Sequence, residues 1–136
     1  MTHQYDDISV TLNDHVAVVE IQRPPHNFFD VSLIRQIANA FDTLDDNPAC
    51  RAIVLASEGK SFCAGANFGS GGSDTSASAE FTEEGFMNTT GTLYREGVRL
   101  FSARKPIVAA VQGAAIGGGL GLSLVADFRI ASPEAR

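Results

Sequence analysis

The stretch from residue 107 to residue 122, IVAAVQGAAIGGGLGL, decides the fold. Its first five residues are apolar and partly β-branched, which predicts a buried strand. The small, apolar run from Leu120 to Ala126 predicts a buried helix. Between them, four of the five residues from Gly117 to Gly121 are glycine. Such a turn places free N–H groups and the positive end of a helix dipole directly after a buried strand.

A helix start of this kind can hold an anion, or an oxygen that becomes negative during a reaction. The alternative is a tight strand-to-helix turn that serves only close packing. The glycines lack the order of a dinucleotide-binding motif, and no Lys-Ser/Thr pair follows them as in a Walker loop. A second glycine-containing segment, GKSFCAGANF at residues 59–68, also follows an apolar strand and favours a functional interpretation.

The composition indicates one domain, or part of one, in a chain of 136 residues. A net charge of −6 without a basic stripe argues against nucleic-acid and anionic-membrane binding. No apolar run reaches transmembrane length, and the polar, acidic N-terminus does not resemble a signal peptide. Cys50 and Cys63 have no zinc-binding spacing, so we expect reduced, non-catalytic thiols in a cytoplasmic protein.

The hydrophobic patterns predict an α/β fold with an N-terminal hairpin followed by β-α-β units. A turn at Asn13-Asp14 closes the hairpin. Asp30 or Ser32 is expected to cap the first helix. The predicted strands are residues 8–12, 16–22, 52–57, 107–112 and 127–131, and the predicted helices lie near residues 31–46, 80–103 and 118–126.

Two further expectations concern burial and flexibility. The buried face of the first helix is predicted to comprise Ile34, Ile37, Ala38, Phe41 and Leu44, which share one side at helical spacing. In the second helix the candidate buried residues are Phe81, Phe86, Met87, Leu93, Val98 and Phe101. The low-complexity segment GSGGSDTSAS at residues 69–78 is expected to form a flexible Gly/Ser-rich surface loop.

Four segments together resemble the crotonase, or enoyl-CoA hydratase/isomerase, superfamily. They are Arg23-Pro24 with Asn27, residues 59–67, residues 105–113 running into the glycines at 117–119, and residues 126–131. The resemblance implies a crotonase-like ββα spiral, with residues 1–136 as the N-terminal part of a single acyl-CoA-binding domain. It also implies that the full-length protein forms a homotrimer or hexamer, and that the isolated segment is aggregation-prone.

The resemblance further implies a site that holds the oxygen of an acyl-CoA thioester as it becomes enolate-like. By position, the backbone N–H groups of Ala66 and Gly118 would form this oxyanion hole. Other substrate-binding positions would be Pro25, His26, Asn27, Ala64, Gly65, Asn67, Phe68 and Gly117. No metal and no separate cofactor are expected, because CoA is part of the substrate. The alternative for His26 is a surface-loop histidine. Lys60 could approach a CoA phosphate, but the favoured interpretation is a solvated loop lysine.

The sequence departs from the family pattern at Gly121. In the hydratases a glutamate that helps to activate water stands at this position, and the second glutamate would lie beyond Arg136. Glu83, Glu84 and Glu96 are expected to be solvated helix residues. Simple hydration is therefore disfavoured, which leaves isomerisation, thioester hydrolysis or another lyase reaction that uses a base from elsewhere.

Three hypotheses follow: an enzyme that works through an enolate, a catalytically impaired acyl-CoA-binding homologue, and an oligomerisation fragment in which the glycine turn is only packing. The presence of two donor turns favours the first two.

Overall fold

A computed structural model describes residues 5–66 and 90–136 and shows one five-stranded sheet whose spatial order matches the chain order. The first two strands are antiparallel, and each later strand adds in parallel. The strands are β1 (Ile8–Asn13), β2 (Val16–Ile21), β3 (Ala52–Ser57), β4 (Ile107–Val111) and β5 (Phe128–Ala131), and the described helices are α1 (Val31–Asp46), α2 (Thr90–Leu100) and α3 (Gly118–Leu124). This α/β arrangement confirms the predicted fold class.

The hairpin turn lies one residue later than predicted. Asn13 pairs with Val16, so the two central residues are Asp14 and His15. Both have positive φ angles, 45° and 70°, as a two-residue hairpin of the favoured twist requires. The prediction at Asn13-Asp14 identified the turn residues but not their register, which the strand pairing sets.

Helix α1 has the predicted boundaries and the predicted buried face. The side chain of Asp30 caps it by accepting from the Leu33 amide at 2.9 Å. At the other end, the Lys105 ammonium donates to the carbonyl oxygens of Leu44 and Asn47. A positive charge at the C-terminal end of a helix interacts favourably with the helix dipole. The five predicted core residues of α1 are all buried. Alternate residues of β2, β3 and β4 complete the same core.

Helix α2 ends earlier than predicted, and part of its buried face was assigned wrongly. The predicted helix at 80–103 is described only from residue 90, and it ends at Leu100. Residues 69–78 and the earlier part of this helix, with Phe81, Phe86 and Met87, lie outside the described residues. Val98 and Phe101 are 66% and 64% exposed, whereas Leu100 is 2% exposed.

Ion pairs to α1 mark the face of α2 that turns inward. The Glu96 carboxylate meets Arg35 at 3.0 Å, and Arg99 meets Asp42 at 2.6 Å. Both partners belong to α1, so α2 presents Glu96 and Arg99 towards that helix. Glu96 was expected to be solvated, but its side chain is only 16% exposed.

The remaining boundaries differ from the predictions by one or two residues. Helix α3 ends at Leu124 instead of residue 126, and β5 begins at Phe128 instead of residue 127. Asp127 is not part of β5. Its carboxylate instead accepts a hydrogen bond from the Ile107 amide at the start of β4, at 2.8 Å. In the described part of the chain, no helix combines the length and apolarity that crossing a bilayer requires.

Candidate active site

Two glycine-containing turns, separated by about fifty positions in the sequence, lie against each other. We call residues 63–66 the first turn and residues 116–119 the second turn. The Cys63 amide donates to the Ala114 carbonyl, and the Ile116 amide donates to the Cys63 carbonyl, each at 3.0 Å. The backbones of the two turns are therefore locked together by hydrogen bonds that need no side chain.

Glycine is required in the second turn for two separate reasons. Gly117 precedes α3 with φ at +57°, a region that other residues rarely adopt. Gly119 packs directly on the first turn, and a Cβ there would overlap the carbonyl oxygen of Cys63. The glycine run thus reflects backbone conformation at one position and close approach of two turns at the other.

Phe29 contacts both turns. Its amide donates to the Gly65 carbonyl at 3.0 Å, and it forms an isolated parallel bridge with Ala66. Its ring lies against Gly118, where a Cβ would overlap the ring. Sequence analysis missed this residue, although an apolar residue directly before a helix cap, here Asp30, often packs inward.

Ala66 and Gly118 are the two residues whose backbone N–H groups were predicted to act as donors. Within residues 5–66 and 90–136, no backbone carbonyl accepts from either group. The neighbouring amide of Gly119, by contrast, donates to Ile116 at 2.8 Å, and that of Gly121 donates to Gly117 at 3.1 Å. Ala66 is half-buried and Gly118 is exposed.

The loop that follows β2 lies beside the first turn. Pro25 and His26 are exposed, and the His26 carbonyl accepts from the Ala64 amide at 2.9 Å. The His26 ring packs at a tilt against Phe28, with centroids 5.0 Å apart. The structure therefore places this loop next to the two turns. The predicted substrate-binding residues Asn67 and Phe68 lie outside the described residues.

The side chain of Asn27 is turned into the protein. It is fully buried, and its amide donates to the carbonyls of Glu58 at 2.8 Å and Ser61 at 2.7 Å. Its oxygen accepts from the Arg23 amide at 2.9 Å. The structure thus gives this side chain a loop-holding role in place of a direct contact with a ligand, and substrate binding by Asn27 stays a prediction from the resemblance.

An ion-pair cluster fixes the base of the same loop. Arg23 meets Asp7 at 2.6 Å and Asp30 at 3.0 Å, and it donates to the Phe28 carbonyl at 3.3 Å. The hydrogen bond from Arg23 holds the pKa of Asp7 below its usual value. This cluster joins β1, the loop and the start of α1, so the backbone around Phe29 is anchored on both sides.

Among the described residues, position 121, Glu96 and Cys63 do not supply a free general base to the two turns. Gly121 is exposed, and nothing lies within 4 Å of where its Cβ would be. The Glu96 carboxylate forms ion pairs with Arg35 and Arg99. Burial raises the pKa of the Cys63 thiol, so it stays protonated and is a weak nucleophile. In the described residues there is no group of three His, Cys, Asp or Glu side chains placed to hold a metal ion.

Two depressions on the described residues lie away from the two turns. One runs along α1 beside Tyr5 and Gln36, and the other lies between Pro106 and Phe128. Neither includes a residue of the first or second turn. What the turns themselves offer is backbone N–H groups, which can donate hydrogen bonds.

We expect Gly119→Ala to destabilise the fold by about 1–3 kcal/mol, because its methyl group would meet the Cys63 carbonyl oxygen, a backbone atom that cannot move aside cheaply. Gly121→Ala is the matched control. It lies in the same helix with open space around it, and it should stabilise by roughly 0.5–1 kcal/mol. Chemical denaturation of both variants measures the difference. Equal stabilities would contradict the close packing of the two turns.

Comparison with known proteins places the chain in a family. The family model described as Enoyl-CoA hydratase/isomerase matches residues 11–136. A "Probable enoyl-CoA hydratase EchA14" of Mycobacterium tuberculosis is 34% identical over 137 residues, covering 97% of this chain and 49% of that protein. A carnitinyl-CoA dehydratase of Proteus mirabilis is 30% identical over 129 residues, covering 94% and 46%.

Solved structures give the same result for the fold. The crystal structure of an enoyl-CoA hydratase from Shewanella pealeana matches with a TM-score of 0.82 and 32% identity, covering 97% of this chain and 49% of that one. The chain thus spans about half the length of these relatives, which fits the N-terminal portion of a crotonase fold. Since the family model matches nearly all of its residues, the chain belongs to the enoyl-CoA hydratase/isomerase family of the crotonase superfamily.

Proposed function

We propose that this chain binds an acyl-CoA thioester and that the whole protein transforms it through an enolate. The N–H groups of Ala66 and Gly118 would donate to the thioester oxygen. The observation that carries this proposal is the pair of turns, joined by backbone hydrogen bonds, each of which offers an N–H group without a backbone acceptor among the described residues. The relatives named above as a hydratase and a dehydratase of CoA esters support the substrate class.

Backbone donors suit this chemistry because they are held in place before the reaction begins. Negative charge develops on the thioester oxygen when the neighbouring carbon loses a proton, and fixed N–H groups stabilise that charge without reorganising. The bonds from Cys63 to Ala114 and from Ile116 to Cys63 provide the rigidity. Removal of one such donor typically lowers kcat by roughly 100- to 1000-fold.

The base that removes the proton is expected to come from outside the described residues. Gly121 has no side chain to offer, and Glu96 is tied to two arginines. Isomerisation, thioester hydrolysis and lyase chemistry all pass through, or close to, the same charged oxygen, so the donor pair is compatible with each. Assembly into a homotrimer or hexamer and a cytoplasmic location complete the proposal.

A second candidate function is binding without turnover. Gly121 favours it, because a protein that retains the donor pair but lacks a positioned base would lose the proton transfer, a factor of roughly 100 to 10,000. Such a homologue would hold acyl-CoA at the same two turns. The two candidates differ in whether the α-proton of the bound thioester is removed.

Exchange of that proton with deuterated solvent distinguishes the candidates. We expect a saturated acyl-CoA to gain deuterium at its α-carbon in the presence of the whole protein, measured by mass spectrometry, while calorimetry measures binding separately. Free CoA is the control for binding through the nucleotide part alone. Binding without exchange would leave the binding function, and absence of binding would contradict both candidates.

A further inference from the structure

We infer that Phe29 is a positioning residue that sets the separation between the N–H groups of Ala66 and Gly118. This inference rests on the proposed function, because it concerns how the same two donors are held. Phe29 belongs to neither turn and reaches both. Its backbone is hydrogen-bonded to the first turn, and its ring supports the second.

The backbone of Phe29 fixes the first donor. Its amide bonds to the Gly65 carbonyl, and its bridge to Ala66 aligns the two segments in parallel. The loop that carries Phe29 is itself anchored, since Arg23 binds the Phe28 carbonyl and the Asp30 carboxylate on either side of it. The peptide plane that contains the Ala66 N–H therefore has little freedom to rotate.

The ring of Phe29 fixes the second donor. It is 9% exposed and belongs to the hydrophobic core, so it has little room to retreat. Gly118 rests on it so closely that even a methyl group at this position would overlap the ring. The thickness of the ring thus limits how near the start of α3 can come to the first turn, and its presence prevents collapse of the gap.

This arrangement has a specific chemical consequence. Both donors must lie roughly 2.7–3.1 Å from the same oxygen if they are to stabilise its charge. A displacement of about 1 Å at a reacting centre can lower the rate by roughly 100-fold. Because the charge is largest in the transition state, a misplaced donor should lower kcat while the KM for the CoA ester changes little.

The test compares Phe29→Leu with Phe41→Leu in the whole protein. Phe41 is a buried phenylalanine in the interior of α1, so it controls for general loss of core packing. We expect Phe29→Leu to lower kcat about 10- to 100-fold with KM nearly unchanged, and Phe41→Leu to leave both constants near wild type. Isotope-edited infrared spectroscopy of the bound thioester carbonyl reports the two hydrogen bonds directly. Its downward frequency shift should shrink only in Phe29→Leu.

Enlarging residue 118 while shrinking residue 29 supplies an independent test of the contact between them. Gly118→Ala should lower kcat in the wild-type background, where the methyl group meets the ring. The same change should cost little in a Phe29→Ala background, where that space is open, so the two effects should be strongly non-additive. A loss of activity that came only from unfolding would disappear once kcat is normalised to the folded fraction, which a thermal melt measures.

The outcomes separate this inference from the proposed function. No carbonyl shift in the wild-type protein would contradict the donor pair itself. A wild-type shift that Phe29→Leu leaves unchanged, with unchanged kcat, would overturn the role of Phe29 and leave the donor pair intact. Additive effects at positions 29 and 118 would overturn it as well.

Discussion

Gly118→Pro is expected to lower kcat by about 100- to 1000-fold, because it removes one of the two proposed backbone donors. Gly118 is the first residue of α3, and proline is well tolerated at the first position of a helix, where the missing N–H breaks no intrahelical bond. The change in donor is therefore separable from a change in secondary structure. Steady-state kinetics with an acyl-CoA substrate, alongside a thermal melt to confirm folding, measures the effect.

The control for this prediction must account for Phe29. A proline at position 118 also introduces a Cβ, which would overlap the Phe29 ring. Gly118→Ala introduces the same Cβ and keeps the N–H group. We therefore compare the proline and alanine variants with each other in a Phe29→Ala background, where the overlap is relieved. A ratio of kcat values near one would show that the N–H of Gly118 takes no part in catalysis.

The parts of the fold that sequence reasoning predicted well are those that local chemistry determines. Helix α1 combines a cap at Asp30 with apolar residues at helical spacing, and both its boundaries and its buried face agree with the structure. The strands agree within one residue at each end. Each element depends on periodicity within a short window, which the sequence displays directly.

The exposed face of α2 could not be predicted in this way. Val98 and Phe101 are apolar, and a local pattern assigns apolar residues to the core. The side of α2 that faces α1 carries the partners of Arg35 and Asp42, residues of α1 that lie more than fifty positions earlier in the sequence. No window that covers α2 alone contains that information.

The candidate site likewise combines features that the local sequence displays with features that depend on distant residues. The two turns were recognisable because four glycines among the five residues from Gly117 to Gly121 are an unusual concentration, and because the positions of both turns matched a family pattern. Phe29 and Asn27 were not recognisable as supports, because one phenylalanine or asparagine in a loop has no periodicity. Their partners are distant: the amide of Asn27 bonds to carbonyls 31 and 34 residues away. Such contacts become visible only when the chain is folded.

Asn27→Leu is expected to destabilise the protein by about 3–5 kcal/mol, because a buried carbonyl or amide that loses its partner costs roughly 1–3 kcal/mol. Leucine is close in size but leaves the carbonyls of Glu58 and Ser61 and the amide of Arg23 without the side chain that binds them. It must also adopt the φ of +51° found at this residue, which asparagine tolerates better than branched residues do. Denaturant unfolding of the variant and the wild type measures the loss.

Asn27→Gly separates the two contributions. Glycine accepts the positive φ freely but makes none of the three hydrogen bonds. If the buried amide dominates, Asn27→Gly should be nearly as unstable as Asn27→Leu; if backbone conformation dominates, it should be close to wild type. The first outcome is expected, since three bonds are lost and only one residue is strained. It would mean that the loop carrying Phe29 keeps its place beside the two turns through a carboxamide that no ligand touches.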